Sequence, residues 1–136
     1  MNKIKIAVVG SILYENKRKI REMIFKLKTE FGDELIIISG GRKNGADVYV
    51  KKFTLEFGLD YKEYNPAYTV HNLYSSEPFK MYGKKYHVGY NHMRNKSMID
   101  AVDYVIVFKT DDQLDKDMDN VISYTNKKFK KIIIIN

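Results

Sequence analysis

The sequence predicts an α/β domain of the Rossmann-like type, a three-layer sandwich built on a mainly parallel sheet of about five strands. Residues 3–9, 34–39 and 103–108 are apolar runs with little alternation, which is typical of strands buried on both faces of a parallel sheet. The segments between them carry apolar residues at every third or fourth position, as amphipathic helices do. Because strands and helices alternate throughout, right-handed crossovers and short connections favour the strand order 3-2-1-4-5.

The first half of the chain supplies three strands and two helices. The first helix presents one apolar stripe before it ends at Gly32: Ile20, Ile24, Leu27 and Phe31. Strand two covers 34–39, and the second helix extends over about 45–57, where Gly58 ends it as a C′ glycine. Residues 60–64 are short and more polar, which predicts a third strand at the edge of the sheet.

The second half contains a long interruption and then resumes the alternation. Residues 65–89 hold both prolines, two histidines and four tyrosines: Pro66, Pro78, His71, His87, Tyr68, Tyr74, Tyr82 and Tyr86. A loop of this length is uncommon in a compact domain, and we interpret it as a partly ordered flap. Its tyrosines either stack on a ligand or only attach the flap to the body. A third helix over about 90–101, strand four, a last helix around 118–125 and strand five at 131–135 follow.

Length and composition limit the class of protein. The 136 residues suffice for a single domain over 1–136. No apolar run approaches the roughly 20 residues that span a bilayer, and no secretory signal is evident, so we expect a cytoplasmic protein without a membrane partner. The absence of cysteine excludes disulfides, thiolate catalysis and cysteine-based metal sites. The net charge of +7 comes mostly from lysines, and a solvated lysine surface explains it better than a dedicated anionic partner does.

The turn at 39–47, SGGRKNGAD, is the most informative stretch for function. It lies between strand two and helix two, an order of elements that presents free backbone N–H groups and the positive end of a helix dipole to a phosphate. Glycine allows the backbone to approach a ligand closely. The turn is neither G-x-G-x-x-G nor a Walker A loop, so an ordinary strand-to-helix turn is the alternative.

A second constellation, residues 89–98, opens the third helix. Arg94 is expected in the first helical turn, where a cation is unfavourable for the dipole. It should therefore serve an anion or a fixed carboxylate, for which a guanidinium has bidentate geometry. Asn95 could pair with a base edge or with the backbone. The alternative is that Arg94 pairs with Asp47 or Asp100 and only fixes the helix.

The predicted strand order brings these segments together at the carboxyl ends of strands one and four, where the order reverses. The candidate ligand-binding residues at this edge are Gly10, Ser11, Ser39, Gly40, Gly41, Arg42, Gly45, Ala46, Asp47, Tyr90, Arg94, Asn95, Lys109 and Thr110.

Taken together, the motifs resemble the SLOG superfamily, and within it the YspA-related branch. The residues that carry the resemblance are Val9-Gly10-Ser11, Ser39-Gly40-Gly41, Gly45-Ala46-Asp47, Gly89, Arg94-Asn95, Met98 and Asp103. The resemblance spans most of the chain and implies a Rossmann-like fold that binds nucleotide-derived ligands. It implies a pocket lined by Gly10, Ser11, Gly40, Gly41, Gly45, Asp47, Arg94 and Asn95. Among distant relatives, the LOG enzymes are phosphoribohydrolases and DprA binds single-stranded DNA.

Three departures from this group affect the functional prediction. The glycine turn is about one residue longer than usual, and the flap carries an insertion around 71–82. Relatives have a Gly-Gly-x-Gly-Thr phosphate cradle after strand four, whereas residues 109–115 here read KTDDQLD, without glycine and with acids that would repel a phosphate. The PGGxGTxxE motif of the LOG enzymes is also missing, so no catalytic glutamate can be assigned.

Other chemistry has weaker support. The three histidines, His71, His87 and His92, lack metal-ligand spacing. The aspartates at 111, 112, 115, 117 and 119 lack the bend glycine and terminal glutamate of a calcium loop, which favours a solvated helix entry. We therefore expect no metal and no cofactor. Ser11 has no His–acid pair to activate it and is expected to be a hydrogen-bond donor to ligand.

The leading hypothesis is a protein that binds a nucleotide or nucleotide-derived ligand. The phosphate would lie on the turn at 40–45 and on Arg94, with the base or sugar near Gly10 and beneath the flap. One alternative is an N-glycosidic hydrolase or transferase, with Asp47 or Asp100 as the only candidate carboxylates. Another is a single-stranded nucleic-acid binder that uses lysines and tyrosines. An unpaired sheet edge and apolar helix faces also predict a homodimer.

Overall fold

The computed structural model describes residues 3–66, 74, 88–110 and 115–136. In these residues five parallel strands form one sheet in the order β3-β2-β1-β4-β5, which confirms the predicted fold class and strand order. The elements in chain order are β1 (Ile4–Gly10), α1 (Lys17–Phe31), a 3-10 turn (Gly32–Glu34), β2 (Leu35–Ser39), α2 (Ala46–Glu56), β3 (Asp60–Glu63), α3 (Val88–Asp100), β4 (Tyr104–Phe108), α4 (Lys116–Lys127) and β5 (Lys131–Ile135).

The apolar runs of the central strands are explained by a core on each face of the sheet. Successive side chains of a strand point to opposite faces, so Ile6 and Val8 of β1 pack with the first two helices, while Ala7 and Val9 pack with the last two. The predicted stripe of α1 lies in the first core, where Ile20, Ile24 and Leu27 are buried. Both faces of β1 are therefore buried in apolar cores, which explains why polar and apolar residues do not alternate regularly along the strand.

β1 is the central strand, from which the sheet extends in both directions. Ile6 pairs with Ile37 of β2 on one side and with Tyr104 of β4 on the other. All strands run the same way, so the carboxyl ends of β1, β2 and β4 lie at one edge, which we call the carboxyl edge. β3 and β5 are the outer strands of the sheet. The homodimer stays a prediction.

One boundary differs in a way that matters for the site. The sequence predicts a third helix from about residue 90, but α3 begins at Val88. A glycine costs a helix about 1 kcal/mol relative to alanine but does not end a helix that packing holds in place, and Gly89 lies inside the first turn. Arg94 is therefore in the second turn, and the expectation that it lies in the first is wrong.

Some predictions fall outside the described residues. Of the predicted flap at 65–89, the structure describes Asn65, Pro66, Tyr74 and the first residues of α3. His71, His87 and the other three flap tyrosines lie outside this range, as do residues 111–114. Within the described ranges, no helix is long and apolar enough to cross a membrane.

Candidate functional site

The carboxyl edge gathers most of the buried polar side chains. In the described part of the chain nine polar or charged residues are buried, and seven of them lie at this edge: Ser11, Ser39, Asp47, Glu63, Asn65, Arg94 and Asn95. The other two, Thr54 and Thr125, donate to carbonyls of their own helices. Burying a polar group costs free energy unless it is paired, so this concentration at one edge marks the candidate site.

Asp47 ties the glycine turn to the end of β1. Its carboxylate accepts hydrogen bonds from the amide of Gly10 (3.1 Å), the amide of Arg42 (3.2 Å) and the Arg42 guanidinium (Nη1, 3.3 Å). The Arg42 guanidinium also donates to the carbonyl oxygen of Gly10 (3.1 Å). The Asp47 side chain is fully buried. It positions the turn and does not face an open site as the carboxylate of a hydrolase would.

Asp117, in the first turn of α4, is the second anchor of the edge. Its carboxylate accepts from Arg94 (Nη2, 3.0 Å) and Asn95 (Nδ2, 2.6 Å) and contacts the Arg42 guanidinium. The sequence indicated only that a helix begins among several aspartates. The prediction of a solvated helix entry is wrong for Asp117, because two arginines from β2–α2 and α3 converge on it.

Arg94 forms an ion pair with a fixed carboxylate, which was one of the two expectations from the sequence. That carboxylate is Asp117, and neither Asp47 nor Asp100 pairs with it in the described structure. Its Nη1 donates to the carbonyl oxygen of Gly40 (2.7 Å) and its Nε to Asn95 (2.7 Å). With only 2% of its side chain exposed, Arg94 holds α3, α4 and the glycine turn together from inside.

Ser11 joins four elements at the same edge. Its hydroxyl donates to Asp115, the N-cap residue of α4, and accepts from the amide of Thr110 (3.2 Å) after β4. Its carbonyl oxygen accepts from the amide of Ala46 at the start of α2 (3.2 Å). Asp115 is therefore also bound inside the site and is not solvated as predicted.

Close backbone packing explains two of the glycines. A Cβ added to Gly45, which has φ of +78°, would lie 2.4 Å from the carbonyl oxygen of Ser11. A Cβ added to Gly10 would lie 2.4 Å from the Cβ of Ala46. The start of α2 is thus seated directly on the end of β1, which only glycine at these positions permits.

A buried polar cluster around Glu63, beneath the turn, was not predicted. Glu63, at the end of β3, accepts from Tyr61 (2.9 Å) and Asn65 (3.1 Å), and Lys51 lies 3.6 Å away. Burial, followed by the charge of Glu63, raises the pKa of Tyr61. Tyr74 of the predicted flap contacts this cluster, because its carbonyl oxygen accepts from the Glu63 amide (2.8 Å). The only signal in the sequence was an acid at the end of a short polar strand.

The Thr110 hydroxyl, after the end of β4, is buried without a hydrogen-bond partner among the described residues. The Ser39 hydroxyl, at the end of β2, lies close enough to Tyr61 for a hydrogen bond that acts to lower the pKa of Tyr61.

The remaining predicted residues lie at the margin of the site or away from it. Tyr90 is half-buried in the first turn of α3. The Lys109 ammonium donates to the carbonyl of its neighbour Thr110 (3.3 Å). Asp100 ends α3 at the opposite edge of the sheet, where it accepts from Tyr124 (2.9 Å). Asp100 is therefore not brought to the candidate site.

Solved structures with a similar fold support the Rossmann-like architecture of this chain. A scan against models of protein families gave no match, and a search of curated proteins gave none either. DNA processing protein A from Helicobacter pylori, described for its single-stranded DNA binding mode, superimposes with a TM-score of 0.71 at 16% identity. That match covers 98% of this chain and 65% of the other, so this chain spans less than two thirds of that protein's length.

Two further similar structures are molybdenum cofactor proteins. The molybdenum cofactor binding protein from Rippkaea orientalis gives a TM-score of 0.69 at 18% identity, covering 98% of this chain and 77% of that one. The Moco carrier protein from Chlamydomonas reinhardtii gives 0.70 at 14%, covering 98% and 76%. At these identities the likeness establishes the fold alone.

Proposed function

We propose that this protein binds a phosphorylated ligand of the nucleotide class at the carboxyl edge, with the phosphate on the turn at 40–45. The observation that carries the proposal is the concentration of seven of the nine buried polar residues at that edge. Polar groups that are costly to bury concentrate at functional sites.

The turn has the features of an anion site. Gly45 is the N-cap residue of α2 and offers no side chain to cap the amides of the first turn, and helix N-termini of this kind bind phosphate. Arg42 is the more exposed of the two arginines, with 13% of its side chain exposed against 2% for Arg94, although its guanidinium also contacts Asp47 and Asp117. Arg42 would contact the phosphate, while Arg94 would hold the turn through the Gly40 carbonyl.

The similar structures and the motifs support the same ligand class. One similar protein binds single-stranded DNA and others bind or carry the molybdenum cofactor, so related folds serve phosphate-bearing DNA as well as a cofactor. We place the chain in the YspA-related branch on its GG-x-x-x-GAD and G-x-x-x-x-RN motifs. This support is fold-level analogy, and the edge itself carries the proposal.

The test is a thermal-shift screen of the purified protein against nucleoside mono-, di- and triphosphates, cyclic nucleotides, ADP-ribose derivatives and a short single-stranded oligonucleotide. A ligand that binds only the folded state raises Tm by mass action. A shift with a small nucleotide supports the proposal, and chromatography of that sample for free base then tests the hydrolase alternative. The absence of a shift with every small nucleotide, at concentrations up to the millimolar range, would overturn it.

A matched pair of variants locates the phosphate. Arg42→Gln should weaken the nucleotide found in the screen about 10- to 100-fold, since a hydrogen bond to a charged group contributes about 1.5–3 kcal/mol. Lys43→Gln makes the same charge change at the adjacent, exposed residue and should alter the affinity less than about threefold. Equal losses of affinity for the two variants in titration calorimetry would show that the phosphate does not bind at the turn.

A further inference from the structure

Helices α2 and α4 end in the same hydrogen-bond motif. In both, the amide of the C′ residue donates to a carbonyl three residues back (3.1 Å in α2, 3.0 Å in α4). The following amide donates to a carbonyl five residues back (3.1 and 3.2 Å). This is the Schellman arrangement, which requires a left-handed C′ residue. That residue is Gly58 in α2, with φ of +72°, and Phe129 in α4, with φ of +58°.

Phe129 is conformationally strained at this position. A bulky side chain is strained at positive φ, where glycine is not, and Phe129 is the non-glycine residue that takes this conformation in the described part of the chain. Packing of its side chain does not offset this strain, because the residue is 96% exposed. Strain and exposure together at one residue are not explained by folding, and an observed outlier of this kind is a ground for a functional hypothesis.

The surroundings of Phe129 are basic and aromatic. Residues 127–131 read Lys-Lys-Phe-Lys-Lys. The Lys128 ammonium lies 5.4 Å from the ring centre of Tyr124, and the Lys131 ammonium lies 5.3 Å from that of Tyr104. Lys130 has a structural task, because its ammonium donates to carbonyls at the end of α3. Lys127, Lys128 and Lys131 are exposed and lie within two residues of Phe129 in sequence.

Acidic groups border this surface but do not enclose it. Asp100 accepts a hydrogen bond from the Tyr124 hydroxyl. Glu30 lies close enough to Tyr104 to contribute, after burial, to the raised pKa of that tyrosine. The ring of Phe129 itself is flanked in sequence only by lysines.

We propose that Phe129 with Lys127, Lys128 and Lys131 forms a binding site for single-stranded nucleic acid. A base would stack on the exposed phenyl ring, and the lysines would contact the flanking phosphates, the combination that single-strand binders use. A membrane surface fits less well, because one phenyl ring offers little apolar area for insertion. The site follows α4 and precedes β5, at the opposite edge of the sheet from the glycine turn, and does not depend on the function proposed there.

The test is fluorescence anisotropy of a labelled oligodeoxythymidine of about 12 nucleotides, with Phe129→Gly as the main variant. This substitution makes the end of α4 equivalent to that of α2, so Tm should rise by about 3 °C as the strain is removed. Affinity for the oligonucleotide should fall at least about fivefold because the base no longer has a ring to stack on. Phe25→Ala removes another exposed phenyl ring, from α1 (55% exposed), and should leave the affinity unchanged.

The charge contribution is tested by salt dependence. Lys128→Ala with Lys131→Ala should flatten the plot of log affinity against log salt by about 1.4, or about 0.7 for each phosphate that is no longer neutralised. Lys17→Ala with Lys26→Ala, on α1, should not. The proposal is overturned if wild-type protein does not bind the oligonucleotide at low salt, if Phe129→Gly binds as tightly, or if that variant melts at a lower temperature. Binding to phosphatidylserine vesicles without binding to the oligonucleotide would assign the surface to a membrane instead.

Discussion

Replacing Asp117 by asparagine should destabilise the fold more than any other conservative change in α4. The carboxylate is 22% exposed and is shared by the guanidinium groups of Arg42 and Arg94 and by the amide of Asn95. Asparagine keeps the shape and can still accept a hydrogen bond, but the two cations lose their shared anion. Breaking a buried ion pair costs about 3–5 kcal/mol. Partial exposure and the retained shape reduce this to about 2–4 kcal/mol, equivalent to roughly 10 °C in Tm for a domain of this size.

The assay is urea unfolding followed by circular dichroism, with Asp119→Asn as the control. Asp119 is two residues further along, also in the first turn of α4, and exposed. Its substitution removes a similar interaction with the helix dipole, which contributes about 0.3–1 kcal/mol. Asp117→Asn and Arg42→Met should also be non-additive, with a coupling energy of about 1–3 kcal/mol. Losses within about 0.5 kcal/mol of each other for the two asparagine variants would refute the shared-anchor role.

Two other perturbations test the packing of the edge and the buried cluster. Gly45→Ala should cost about 3 kcal/mol of unfolding free energy, because the new Cβ would lie 2.4 Å from the Ser11 carbonyl oxygen and φ is +78°. Gly32→Ala is the control and should cost about 1 kcal/mol, because Gly32 has φ of +58° but nothing within 4 Å of the added Cβ. Equal losses of unfolding free energy for the two variants would contradict the close packing of α2 on β1. Because the pKa of Tyr61 is raised, the folded state keeps the phenol proton at pH values near 10, where the unfolded chain releases it. The free energy of unfolding is therefore unaffected by Tyr61 below about pH 10 and falls above it by up to about 1.4 kcal/mol per pH unit. Tyr61→Phe should flatten that decline in urea titrations between about pH 9 and 11, and identical slopes would show that Tyr61 is not responsible.

The fold was predictable because each element carries its own signal. The two-sided burial of β1 removes polar alternation from residues 4–10, and the stripe of α1 repeats at helical spacing. The gathering of Gly10, Ser11, Gly40 and Asp47 was predictable as well, since parallel strands end at one edge. These predictions rest on local pattern and topology alone.

The partners of the charged residues could not be predicted in the same way. Asp117 meets Arg94 across 23 residues of sequence and Arg42 across 75, and no periodicity distinguishes it from exposed Asp119. Glu63 and Asn65 are similar, because only the fold of the turn brings them against Gly41, where an added Cβ would lie 2.3 Å from the Asn65 oxygen. Position along an element is encoded locally, whereas pairing between elements depends on side-chain reach and direction.

The carboxylates of α4 also bear on where a phosphate could lie. The resemblance to SLOG proteins implies a glycine-rich phosphate cradle after β4, but Asp115 here occupies the N-cap of α4 and binds Ser11. A phosphate on that side would approach Asp115 and Asp117, and two like charges about 4 Å apart repel by about 4 kcal/mol near a protein surface. On the β2 side, Arg42 is held at the turn by Asp47 and Asp117. Asp117 therefore disfavours a phosphate on the α4 side and also holds in place the cation that favours one on the β2 side. A nucleotide bound at this edge should therefore have its phosphate over residues 40–45, and Arg42→Gln should cost more affinity than Thr110→Val.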